Sequence, residues 1–366
     1  MKNKILIMLY SALLVVACSS SDVSGGDDDN TAGNINSGGG GSIGGTATDG
    51  WLVPVAEVRD GGPGKDGIPS IDNPKFFTVN DVPAGSDDLL VIGLKVGDET
   101  RAYPHFILDW HEVVNDDVNG TSITVSLCPL TGTSMGWSRI MDGEETSFGV
   151  SGLLYNNNLI LYDRATDSNW SQVGLKCING DLIGEIPEVI PVLETTWEVW
   201  KSMYPDTKVM NADTGFSRNY GVYPYGDYKT NNSYLIFPLN PEDERLPSKE
   251  RVHAIIDDEA AKAYQFNAFG NGNIIIDEVN GKDILLVGDG TTIVSFELEG
   301  NTNSLEFEYA FNGAEAFFSD NEGTVWNVFG EAISGPGQGN KLKSTVSFIA
   351  YWFSIGAFYP NAEIYN

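Results

Sequence analysis

Trp197-Glu198-Val199-Trp200-Lys201-Ser202-Met203-Tyr204-Pro205-Asp206-Thr207-Lys208-Val209 and Trp352-Phe353-Ser354-Ile355-Gly356-Ala357-Phe358-Tyr359-Pro360-Asn361-Ala362-Glu363-Ile364 are two writings of one pattern. Trp197, Trp200 and Tyr204 recur at helical spacing in the first, and Trp352, Ile355 and Tyr359 in the second, until a proline stops each run. Gly180/Gly335, Trp197/Trp352 and Pro205/Pro360 all lie 155 residues apart, and Trp170 returns as Trp326. Upstream, Ala102-Tyr103 matches Ala263-Tyr264, and 116–120 matches 277–281, at a separation of 161. The second copy has therefore lost a few residues between these landmarks, as loops allow. Such spacing predicts a duplicated domain with a first repeat over about 89–210 and a second over about 250–365. Solenoid units are far shorter and more numerous.

Between the landmarks the pattern is α+β and mostly β. Short runs at 89–96, 122–128, 145–150, 159–163, 274–279, 283–287, 293–298 and 305–309 are rich in β-branched or aromatic residues and bounded by turn formers. Asn119-Gly120 and Asn280-Gly281 predict hairpins at matching positions. Helices are few. Thr195 and Glu198 read as a capping box for the Trp197 helix. A further short helix is expected with Pro104 in its first turn, running through Ile107, Leu108 and Trp110 to His111-Glu112 and ending before a turn at Asn115-Asp116. There His111 would feel a helix C-terminus, which favours the protonated imidazole. The tryptophans are expected to pack the core.

The N-terminus reads as an export address. Lys2 and Lys4 precede an apolar run over 5–16 that is too short to span a bilayer as a helix, so 1–18 is expected to be a signal peptide. Its end, Leu14-Val15-Val16-Ala17-Cys18, resembles a bacterial lipobox, which implies lipidation of Cys18, palmitate included. Residues 19–50 are Gly-, Ser-, Asn- and Asp-rich and form an expected flexible tether ahead of a domain over 51–366. Asp27-Asp28-Asp29 within it resembles the acidic surface-export signal of Bacteroidetes lipoproteins. A cell-envelope location on the outer membrane follows as an expectation. The formal net charge of −30, from 51 acidic against 21 basic residues, argues against nucleic-acid partners, which reward Lys and Arg clusters. Asp257-Asp258-Glu259 lacks calcium-loop spacing and reads as surface.

Of the three histidines, His105 and His253 have no evident partner and read as surface or packing residues. His111 differs, because it is flanked by Trp110 and Glu112 and followed by the strand that ends at Cys128. Imidazole and thiolate together suit a metal such as copper or zinc, or an activated nucleophile. The Cys128 and Cys177 thiols either bridge or stay free, with Cys177 expected buried. Asp163-Arg164 adds a charge pair; near Ser319-Asp320 in the second copy the acid persists and the arginine does not. His111, Glu112, Cys128 and Arg164 are thus the candidate ligand-binding residues. Their counterparts around Gly272, Asn273 and Asp289 lack both His and Cys.

Several ordered segments carry a resemblance: Ala102-Tyr103-Pro104, Trp110-His111-Glu112-Val113-Val114-Asn115-Asp116, Cys128-Pro129-Leu130-Thr131-Gly132-Thr133, Phe148-Gly149-Val150-Ser151-Gly152-Leu153-Leu154-Tyr155-Asn156, Leu161-Tyr162-Asp163-Arg164 and Trp170-Ser171-Gln172. Together they resemble the signature blocks of domain-of-unknown-function family 3179 (DUF3179). The resemblance runs over about 67–365 and implies placement, not a mechanism. It implies a site at Cys128, but Thr131 stands where the family's second cysteine would be, which removes a dithiol couple. Three functions remain open on sequence grounds: binding of a metal or small ligand near His111 and Cys128, a thiol-dependent enzyme using Cys128 with His111 as base, and a non-catalytic interaction module for protein or glycan.

Overall fold

The computed structural model describes residues 50–366. The signal segment, Cys18 and the tether, apart from Gly50, lie outside the described residues. Among the described residues no helix is long and apolar enough to cross a membrane.

The body is mostly β, with three seven-residue helices: α1 (His105–His111), α2 (Trp197–Met203) and α3 (Trp352–Phe358). Two sheets share one plan. The first orders Val192–Thr196, Leu90–Val96, Glu99–Pro104 and Lys208–Met210, with Phe76–Thr78 added at its edge. The second orders Ser347–Tyr351, Arg251–Asp257, Ala260–Gln265 and Glu363–Ile364. In each, the first two pairings are antiparallel and the next is parallel. A helix, α2 or α3, leads from the first strand named to the last. Two further sheets also match in order, Val189–Ile190, Thr133–Ser138, Thr121–Cys128 and Val113–Val118 in one and Lys343–Ser344, Ile293–Glu297, Lys282–Gly288 and Asn273–Val279 in the other.

The same bonds recur in both halves. Tyr103 donates to Asp116 at 2.7 Å and Tyr264 to Asp277 at 2.9 Å. The Trp170 indole donates to Asp163 and the Trp326 indole to Asp320, both at 3.0 Å. Packing crosses between halves. Trp197 and Trp200 of α2 join a core with Phe296, Phe318 and Trp326, while Trp352 and Ile355 of α3 join one with Trp137, Phe148 and Trp170. Gly93 shows how tight this is, since a Cβ there would sit 2.2 Å from the Trp200 ring.

Several local expectations need adjustment. The cap of α2 is Thr196, which accepts from Val199 N at 3.3 Å, whereas Thr195 is buried and bonds Thr292 at 2.7 Å. Pro104 is the N-cap of α1 and not part of its first turn. Asn115-Asp116 is not a turn but the middle of a strand. Both side chains are buried and paired, Asn115 with Phe148 and Asp72, Asp116 with Tyr103 and Arg101. Local turn propensity loses there to long-range polar contacts. The hairpin turns fall at Asn119-Gly120 and Asn280-Gly281, where all four residues have positive φ (49°, 79°, 51° and 78°).

Candidate functional site

The four sequence candidates divide into two groups. His111 ends α1 and is fully enclosed. Its Nδ1 lies 2.7 Å from the Pro69 carbonyl and its Nε2 2.7 Å from the Tyr220 hydroxyl. A carbonyl only accepts, so Nδ1 carries the proton and Nε2 accepts from Tyr220. Burial lowers the imidazole's pKa, outweighing the one-turn dipole that was expected to protonate it. Arg164 spans Asp66, Ser70, Asp72 and Ser147. It does not pair with Asp163, whose carboxylate serves Thr166 and Trp170. His111 and Arg164 therefore clamp the 66–72 segment onto the body.

Glu112 and Cys128 belong to a different neighbourhood. Glu112 follows α1 with φ of 60°, a conformation that costs a non-glycine residue free energy and tends to persist only where the surroundings hold it. Its enclosed carboxyl is pushed up to about 8 by burial, with Tyr225 as its hydrogen-bonding neighbour. The Cys128 thiol is pushed up to about 11 by burial and then by Glu112, and it donates to the Asn157 carbonyl at 3.7 Å. Thr131 neighbours this thiol, so the Cys-Pro-Leu-Thr turn does bring its first and fourth residues together. His111 and Cys128 spend their polar atoms on separate partners. Among the described residues no group of three or more His, Cys, Asp or Glu is arranged to hold a metal. A copper or zinc pair of His111 and Cys128 does not fit this geometry. Cys128 and Cys177 are both free and buried, without a bridge.

The cover over this neighbourhood is the segment 211–250, which joins the halves without a helix or strand. Tyr223 donates to the Pro129 carbonyl at 3.1 Å, Trp110 to the Val222 carbonyl at 3.1 Å, and Lys229 to Asp109 at 3.0 Å. Asn156 and Asn157 each exchange a pair of bonds with the same strap, at Asn240 and Phe237.

Beneath the strap lies a cleft of about 180 Å³ between the halves. Its wall includes His105 and Asp109 of α1, Pro129 and Gly132 of the Cys-Pro turn, Glu194, the strap's Lys229 and Lys249, and Arg251 and Tyr351 of the second half. Gly132, at φ of 60°, lets the turn slide under Tyr351, whose ring would lie 2.9 Å from a Cβ there. Glu194 is the hub. It accepts from Ser134 and Arg251 and lies 3.4 Å from His105 Nε2, which is within ion-pair range but lacks hydrogen-bond alignment. Although burial opposes it, His105 and Arg251 hold the Glu194 carboxyl down at about 2.

Lys249 has no such partner. It is 7 % exposed, its Nζ has no hydrogen-bond acceptor, and it sits 3.3 Å from the Tyr228 ring centroid and 4.6 Å from that of Phe353. Burial pushes its amine down to about 7. Asp109, paired with Lys229, is shifted upward by burial.

His105 thus is neither surface nor inert packing, while His253 is buried against Ser295 at 2.7 Å. Lys249, Arg251 and Glu194 carried no sequence motif. The available signal was Tyr220, Tyr223, Tyr225 and Tyr228 crowded into the segment 211–250.

The raised Glu112 carboxyl fixes a sign. A group whose folded pKa of about 8 exceeds its unfolded value near 4.5 holds extra protons between those limits. It stabilises the fold most at low pH, and that contribution fades as pH rises toward 8. Glu112→Gln should abolish a fall of order 1 kcal/mol or more in unfolding free energy between pH 5 and 8, measured by urea titration. An unchanged slope would contradict the assignment.

No curated protein and no solved structure matches the chain. One family profile does, described as protein of unknown function (DUF3179), and it covers residues 65–362. With this profile covering most of its length, the chain belongs to the DUF3179 family.

Proposed function

We propose that this chain is a lipid-anchored cell-envelope protein that binds a small anionic molecule in the cleft between its two halves. One observation carries the binding reading: a buried lysine with no carboxylate or hydrogen-bond acceptor borders a cavity whose other charges are already matched. Arg251 and His105 offset Glu194, and Lys229 offsets Asp109, so Lys249 is surplus. In a chain with 51 acidic and 21 basic residues, three of the basic ones around one small cleft make a local reversal of sign. The matching strand order of the halves supports an origin by duplication, and ligand sites commonly form where such halves meet.

The thiol-enzyme alternative has less support, because Cys128 is enclosed and its thiol holds its proton to about pH 11. The interaction-module reading is weakened by the burial of Tyr228, Trp137 and Trp170 inside the protein.

Binding of an anion favours the charged ammonium, so it should draw a proton onto Lys249 above pH 7. Affinity for lactate, acetate or phosphate, measured by calorimetry, should hold up to pH 7 and then fall about tenfold per pH unit. Lys249→Met should weaken binding at least tenfold and remove this pH dependence. No binding by any of these anions at pH 6 would refute the reading.

The anchor rests on Leu14-Val15-Val16-Ala17-Cys18 and the acidic tether. A palmitate analogue fed to expressing cells should label the wild type, which should sediment with outer membrane, and not Cys18→Ser. Equal labelling of both would contradict lipidation at Cys18.

A further inference from the structure

We propose that Lys249 is a nucleophilic amine that forms an imine with a small 2-oxo acid held in the cleft, an activity that rests on the anion-binding reading above. A lysine reacts with carbonyl carbon only as the free amine, and desolvation without a counter-ion is what frees it. Lys249 meets that condition. Its Nζ faces Tyr228, Phe353 and Tyr351 at 3.3, 4.6 and 5.6 Å from the ring centroids and has no acceptor. With its amine pushed down to about 7, roughly half of the side chains carry a lone pair at neutral pH.

The surroundings supply the other requirements. The Tyr228 ring packs against the amine, but its buried hydroxyl is not part of the cleft wall, so solvent water carries the protons. The lone pair of Nζ forms the C–N bond as the carbonyl π pair moves to oxygen, which takes a proton from water. Nitrogen then returns a proton to the hydroxide so formed. The hydroxyl leaves as water after a second protonation, and loss of the remaining N–H proton gives a neutral imine. One amine and one carbonyl become one imine and one water, with no change of oxidation state.

The 2-oxo acid class follows from the two needs of the wall. The amine asks for a carbonyl, and the N–H donors of Lys229 and Arg251, whose charges Asp109 and Glu194 already match, border the same cleft and can also donate to an adjacent carboxylate. A volume of about 180 Å³ equals roughly six water volumes at ~30 Å³ each, the size of a compound with on the order of six heavy atoms. A lysine that merely makes cation–π contacts with these rings would bind no carbonyl covalently.

The test is reductive trapping of the full chain with pyruvate and cyanoborohydride at pH 7, read by intact mass and peptide mapping. Lys249 should be modified at least about 100-fold faster than an ordinary exposed lysine, because far more of it is free amine. Lys249→Arg keeps the cation and the ring contacts, and it should yield no adduct. Calorimetry with lactate, which has the carboxylate but no carbonyl, separates the two ideas. Lactate binding by wild type and Lys249→Arg with no Lys249 adduct overturns imine formation and leaves the anion cleft standing. Neither binding nor adduct overturns both, and adducts spread over surface lysines overturn the assignment to Lys249.

Discussion

Glu194 is the interaction on which the cleft depends. A carboxylate enclosed in protein is costly unless charge and hydrogen bonds replace its water, and here three elements do so: Ser134 on the Cys-Pro hairpin, His105 on α1 and Arg251 at the start of the second half. The pKa of about 2 expresses how fully they succeed. Moving any of the three would strand a buried charge, so the position of the second half relative to α1 and the hairpin is set by one side chain. The cleft is the space those partners leave beside it.

The strap then closes that space from outside. It has no repeating structure of its own, and it is ordered by polar bonds to the first half: carbonyl by carbonyl through Asn156 and Asn157, and by charge through Lys229 and Asp109. Its tyrosines lie against Glu112 and Cys128 and remove both from water, which is why the carboxyl and the thiol keep their protons. Glu112 and Cys128, both within the family's signature blocks, thus stand behind the cleft as buried neutral groups. The charged residues of its wall come from elsewhere in the chain.

Much of the scaffold was legible because its causes are local. Asn-Gly turns, helical spacing of Trp197 and Trp200, and alternating strands need only near neighbours in sequence. Asn115-Asp116 misled because its partners, Tyr103 and Phe148, stand far off in sequence. His111 and Cys128 are joined by a hairpin yet aim at Pro69 and Asn157, a divergence that strand counting does not reveal. Lys249 and Arg251 were invisible for a related reason. A lysine is unpaired only relative to everything folded around it, and that information is distributed over α1, the hairpin, the strap and Tyr351.

The central claim, that an ion pair between buried Glu194 and half-buried Arg251 sets the cleft, is tested most directly by a double-mutant cycle on unfolding free energy with Glu194→Gln, Arg251→Gln and the pair. A coupling of at least about 2 kcal/mol is predicted, well above the ~1 kcal/mol or less of an exposed pair. Additive effects, within about 0.5 kcal/mol, would contradict it.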